Sequence, residues 1–292
     1  MRATVMTALA WLASFGTVQA VSAQAGTSSP LDPIVVTARP LPAKRETLRW
    51  FRMIAGHPNG SEPLSRMTQP LCIGGVGLRR DMVLGIADRI MGNAMRLGIE
   101  LGGEKCSPNV LVLFVENGAD QVKWLADHRP GIFGRLQASE VSAIIRDKGP
   151  VHVWHITAIT SRDGDRIMQF GNELPTLTIP SASRIDLPIK SRIAAAVMLI
   201  DRNAVYGKSI NQIGDYASMR LLAEVRPRNS EAVPSILSLF DTGSSAPEAM
   251  TPFDWGYLRG FYAGQGNKPP AFQFADMARF VDEEIKNGAA KP

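Results

Sequence analysis

The chain has 292 residues, of which 45% are hydrophobic and 20% charged, with a formal net charge of +5. This composition excludes a disordered chain and suffices for one large domain or two small ones with a buried core. The charge comes from arginines scattered along the sequence, with no basic run interleaved with aromatics, which argues against nucleic-acid binding.

Residues 1–23 have the layout of a secretory signal peptide. Arg2 supplies a minimal positive start, VMTALAWLASFGTV (5–18) is uncharged and apolar, and Val21-Ser22-Ala23 places small residues where cleavage occurs, with Val18-Gln19-Ala20 as a second option. No later segment is apolar over the ~20 residues that a membrane span needs. The expected location is therefore periplasmic or secreted. The stretch 24–47, with QAGTSSPLDP and ARPLPAKRE, has the small, polar and proline-rich character of a flexible arm. The remainder, 48–292, is expected to form a single domain. Its two cysteines, Cys72 and Cys106, are expected to be bonded in an oxidising compartment, closing a loop worth roughly 3–4 kcal/mol before any strain. Two independently buried thiols are the alternative.

Within the domain, Met82, Ile86, Ile90, Ala94 and Leu97 recur at helical spacing and predict a helix over 77–97. Gly74-Gly75-Val76-Gly77 reads as a turn beside the disulfide. NVLVLFV (109–115) predicts a strand buried on both faces. Helices follow over 118–128, ended by RPGIFG, and over 138–147. VHVWHITAIT (151–160) is rich in β-branched residues and predicts a strand. The proline-bearing stretch 161–192 reads as an excursion or hairpin, and IAAAVMLID (193–201) as a buried strand or helix. Helices are expected at 209–225, at 251–263 with Thr251 as N-cap and Pro252 in the first turn, and at 271–286. The fold class implied is α+β, a small mixed sheet packed with helices and a helical C-terminal part.

Several strings suggest chemistry. Asp241-Thr242-Gly243-Ser244-Ser245 is letter for letter the string that carries the catalytic aspartate of pepsin-like proteases, but that chemistry needs two carboxylates sharing a proton. No second Asp-Thr/Ser-Gly occurs, and the 51 residues after Asp241 look helical, so DTGSSAP reads as a helix-terminating loop with Asp241 at a helix end. Gly207-Lys208-Ser209 resembles the end of a phosphate-binding loop, yet Arg202 stands where its first glycine belongs, which leaves a turn with Ser209 as helix cap. His152 and His155 on a strand would point to opposite faces and could not chelate one metal. No Gly-x-Ser-x-Gly elbow is present. No catalytic residue, metal ligand or cofactor is expected from these motifs.

Asp32-Pro33-Ile34-Val35-Val36-Thr37-Ala38-Arg39 resembles the TonB box of TonB-dependent outer-membrane receptors. The resemblance implies that Ile34, Val35, Val36, Thr37 and Ala38 pair by strand addition with a TonB-type periplasmic partner. A receptor's plug and barrel are absent from a chain of this length, and a strand pairing with the domain's own sheet is the other reading. Downstream, LCIGGVGL, CSPNVLVLFV, GKSINQIGDYASMRLLAEV, PSILSLFD and MTPFD, in that order, resemble a family of uncharacterised exported proteobacterial proteins, which implies no particular activity. The second half is also similar to the zincin-like DUF2927 family. The helix that carries His-Glu-x-x-His in zincins here offers Gln212, Asp215 and Tyr216, which implies a zincin-like scaffold without its metal. The reading is thus an exported binding or accessory protein without catalytic activity. The alternative is a hydrolase of peptides or cell-wall material with Gln212, Asp215 and Tyr216 in its pocket.

Overall fold

A computed structural model of the protein describes residues 43–55, 62–165, 167, 176–177, 183, 185–226, 233–243 and 245–289. The signal-like segment and the TonB-box-like residues 34–38 lie outside the described residues. No helix among the described residues is long and apolar enough to cross a membrane.

The sheet is built around one long strand. β5 (Ile189–Asp201) takes parallel partners along one edge, β1 (Arg66–Met67) at Arg192 and Ile193 and β3 (Val110–Val115) from Ala196 to Asp201. β2 (Ile73–Val76) lies parallel outside β3, and β4 (Val151–Ser161) runs antiparallel along the other edge of β5, with a bulge at Ile156/Thr157. Alternation along the strands separates two cores. Val110, Val112, Phe114, Ala196, Met198 and Ile200 face one layer, while Leu111, Leu113, Val115, Trp154, Val197 and Leu199 face the other. Helices cover both layers, so β5 is apolar on both faces, the pattern of a fully buried central strand. This burial resolves 193–201 as strand.

The first layer holds α1 (Lys44–Ile54), α2 (Arg80–Arg96), α5 (Ile210–Leu222), α6 (Pro252–Tyr262) and α7 (Pro270–Ala289); the second holds α3 (Gly118–His128) and α4 (Ala138–Arg146). Local signals set the helix starts. The Asn117 side chain accepts from Asp120 N–H, Ser209 from Gln212 N–H and Thr251 from Asp254 N–H, each satisfying an otherwise orphaned donor. α1 includes residues 44–47, which composition assigned to the arm. It is held by Trp50 and Phe51, whose rings pack against Phe253, Tyr257 and Phe274.

Gly74 and Gly75 belong to strand β2 instead of a turn, and the chain turns at Gly77, φ 105°. A Cβ on Gly77 would stand 2.0 Å from the Phe114 carbonyl oxygen, so only glycine fits this crossing of β2 past β3. Cys72 and Cys106 form the expected disulfide, Cα atoms 6.0 Å apart, tying the start of β2 to the loop before β3.

α6 and α7 approach each other through glycines. A Cβ on Gly256 would lie 2.4 Å from the Val281 Cα, and one on Gly260 would lie 2.6 Å from the Met277 Cα. The obstructing atoms are backbone, so the helices themselves must separate to admit a methyl group. Gly260→Ala is expected to lower stability by about 1–3 kcal/mol, seen as a lower urea midpoint at unchanged slope.

Candidate functional site

β4 is an edge strand: among the described residues no strand pairs with its outer side. The hydrogen bond from Asp201 N–H to the Pro150 carbonyl marks one bonded pair with β5, and antiparallel pairing alternates from there. Pairs 152/199, 154/197 and 156/195 therefore face β5, which turns the backbone N–H and C=O groups of Val153 and His155 outward. Beyond the bulge, the bond from Arg162 N–H to the Pro188 carbonyl turns Thr157 and Ser161 outward in the same way. The Ser161 N–H accordingly bonds to the Asp165 carbonyl, away from β5.

A groove of about 680 Å³ lies over this edge. Its floor is Val153–Thr157. One wall comes from α4 with Ser139, Ala143 and Asp147, and the other from the end of α5 and the following turn, with Arg220, Glu224 and Val225. Leu64 and Ser65 close it beside that second wall.

Arg220 is the most constrained charge in the groove. It is 6% exposed, its Nη1 donates to the Tyr216 hydroxyl at 2.6 Å, and its buried Nε–H has no acceptor. Leaving such a donor unmatched costs about 1–3 kcal/mol, more when charged. Beside it, the His155 Nε2 is buried and also without a partner. Burial pushes the His155 pKa down; Glu224 and the backbone of Leu221 and Arg220 oppose this and the Arg220 charge adds to it, so burial favours the neutral ring. Burial likewise pushes the Tyr216 hydroxyl up, with Arg220 opposing. Tyr216 is fixed edge-on against Phe240, ring centroids 4.8 Å apart. What results is a buried imidazole, a guanidinium with an unmatched N–H and a row of backbone amides around one concave space. Such a set can hold a carboxylate or carbonyl oxygen.

The three residues picked out from the sequence have other roles. The Gln212 Oε1 accepts from Ser209 N–H at 3.0 Å, closing the helix cap, and its Nε2 donates to the Pro247 carbonyl at 3.0 Å. Asp215 is fully buried, with two bonds from Arg89 (2.7 and 2.8 Å), one from Asn93 Nδ2 (2.8 Å) and one from Met250 N–H (2.7 Å). Arg89 is correspondingly pushed up in pKa by its bonds to Asp215. Gln212, Asp215 and Tyr216 do not line the groove, and Tyr216 reaches it only through Arg220. Sequence reasoning selects the right helix and stops one turn short of Arg220. The available signal is the Tyr-x-x-x-Arg spacing, which stacks the two side chains on one helical face.

The remaining motifs fall into structural places. His152 points to the face opposite His155, its Nδ1 3.0 Å from the Ile144 carbonyl. No group of three or more His, Cys, Asp or Glu residues suited to a metal occurs among the described residues. Asp241 ends a short 3-10 helix, Ile236–Phe240, its N–H bonding to the Ser238 carbonyl, and burial pushes its carboxyl up in pKa. Gly207 has φ 74° and Ser209 caps α5, as expected of a turn and helix start. No protein-family model, curated protein or solved structure matches the chain.

Proposed function

We propose that this chain is an exported binding or accessory protein of the Gram-negative envelope, without catalytic activity, which takes its ligand in the groove along β4. The observation that carries this reading is Arg220, which lines the groove with a buried, unmatched Nε–H, beside a strand whose outer edge no strand among the described residues pairs with. The disulfide supports placement in an oxidising compartment, in line with the signal-like N-terminus. Within this proposal the segment Ile34–Ala38 engages a TonB-type periplasmic partner by strand addition. Pulldown of that partner's periplasmic domain by intact chain, with loss of recovery on deleting residues 32–39, is the expected outcome; equal recovery overturns the contact.

A hydrolase built on Gln212, Asp215 and Tyr216 is the less favoured reading, because all three side chains are engaged in holding α5 in place. Purified protein incubated with a broad set of peptides and cell-wall glycans is expected to give no turnover above blank. Reproducible turnover that is lost in an Arg220 or His155 variant would overturn the binding reading.

A further inference from the structure

Resting on the reading of the groove as a binding site, we propose that its ligand is an extended polypeptide segment that adds a strand to the outer edge of β4 and sets an acidic side chain against Arg220. The backbone supplies the first argument. Val153, His155 and Thr157 turn their N–H and C=O groups into the groove at two-residue spacing, the repeat that an added strand matches. An added segment of about five residues spans this stretch of edge at roughly 3.3 Å per residue.

The side chains fix the pattern on that segment. Val153 packs toward the α5 layer, and His155 lies on the same face beside Arg220 and Leu221. Directly opposed residues of paired strands place their side chains on one face, so the incoming residue opposite His155 projects over Arg220. A carboxylate is the acceptor that suits a guanidinium best, and Arg220 lines the groove with its buried Nε–H unmatched, where burial limits the screening of such a pair. The groove also carries Glu62, Arg135, Glu140, Asp147, Glu224 and Arg226, all exposed or half-buried, so the charge held away from water is that of Arg220. Leu64 and Val225, both of the core on the α5 side, also line the groove, which favours apolar residues at the neighbouring positions on that face of the segment. On the opposite face the groove is lined by Leu136, Ser139, Ala143, Ile144 and Asp147, a mixed apolar and polar wall suited to threonine. The pattern is apolar, polar, acid, polar, apolar.

The probe is the pentapeptide Val-Thr-Asp-Thr-Val, capped at both ends and titrated calorimetrically into the full chain. Two companions accompany it, one with Asp replaced by Asn and one with the edge-facing amides N-methylated. The Asp probe is expected to bind, the Asn probe to bind about tenfold more weakly or worse, and the N-methylated probe not at all. Arg220→Gln is expected to bring the Asp and Asn probes to equal affinity, and binding is expected to slow amide exchange at Val153 and His155. Failure of the Asp probe to bind the unaltered chain overturns the proposal, as does binding indifferent to N-methylation. Both comparisons use the unaltered protein, so neither depends on Arg220→Gln folding. Either failure leaves the non-catalytic reading intact, since only turnover overturns that.

Discussion

Near pH 7, Asp215→Ala is expected to destabilise the protein by about 3–5 kcal/mol, more than either Gly260→Ala or Asp254→Ala at that pH. The carboxylate is fully buried between α2 and α5 and accepts four hydrogen bonds, two from the Arg89 guanidinium, one from Asn93 and one from the Met250 backbone. It joins three segments that are far apart in sequence. Its removal leaves the Asn93 amide and the Met250 N–H without that acceptor inside the fold, and strands a guanidinium whose side chain is only 31% exposed. Asn93 also bonds to the Ser218 hydroxyl, which in turn donates to the Gly214 carbonyl, so the loss spreads along α5. Chemical denaturation of Asp215→Ala measures it, and a change below about 1 kcal/mol would show that the cluster is solvated and not structural. Because α5 carries Arg220, the same variant should also weaken any ligand bound in the groove.

Asp254→Ala is expected to cost about 2–4 kcal/mol near pH 7, with a distinctive pH dependence. The Asp254 carboxylate, buried at the start of α6, accepts from the Ser235 hydroxyl (2.5 Å), from the Ile236 and Thr251 backbone N–H groups (2.9 Å each) and from the Thr251 hydroxyl (3.0 Å). It thereby anchors the 3-10 helix before DTGSS to the N-terminus of α6. Burial pushes its pKa up to about 6, and the four donors hold it back from rising further. A carboxyl whose folded pKa is raised contributes stability that is complete below its unfolded value of about 4 and is lost as pH climbs through about 6. Relative to Asp254→Ala, the wild type should therefore gain up to roughly 3 kcal/mol between pH 7 and pH 4. Parallel unfolding curves at those two pH values decide it: an equal gap between the proteins at both means that the carboxyl titrates normally in the fold.

Much of the scaffold is legible in the sequence because its elements announce themselves locally. The α2 periodicity, the apolar run of β3 and the caps at Ser209 and Thr251 depend on neighbours a few residues apart. β2 hides from such reading because its two glycines mimic turn chemistry, and only pairing with Val110–Leu113 makes them a strand. The start of α1 is equally hidden: its first turn, Lys44–Thr47, continues a proline-rich charged segment, while the aromatic contacts that hold the helix come from α6 and α7. The position of Asp241 at the end of a short helix is also legible, since Gly243 and Pro247 mark the stretch as a loop.

The candidate site is far less visible. Gln212, Asp215 and Tyr216 are sensible choices on one helix, but whether a buried polar side chain serves the fold or a ligand depends on what stands opposite it. For Asp215 that partner is Arg89, 126 residues away in sequence. The groove itself is assembled largely from residues 62–65, 139–147, 152–157 and 220–226, which no single stretch of sequence brings together.

By itself, then, the sequence determined the α+β class, the order of most elements and their caps, because these follow from short-range periodicity and capping geometry, and it left a bond between Cys72 and Cys106 as the favoured of two outcomes. Tertiary structure alone decided that no strand among the described residues pairs with the outer side of β4, that Arg220 and His155 line the groove there with buried, unmatched nitrogens, and that Asp215 and Asp254 are internal anchors. Burial and hydrogen-bond satisfaction are properties of surroundings contributed by distant parts of the chain, and no local pattern encodes them.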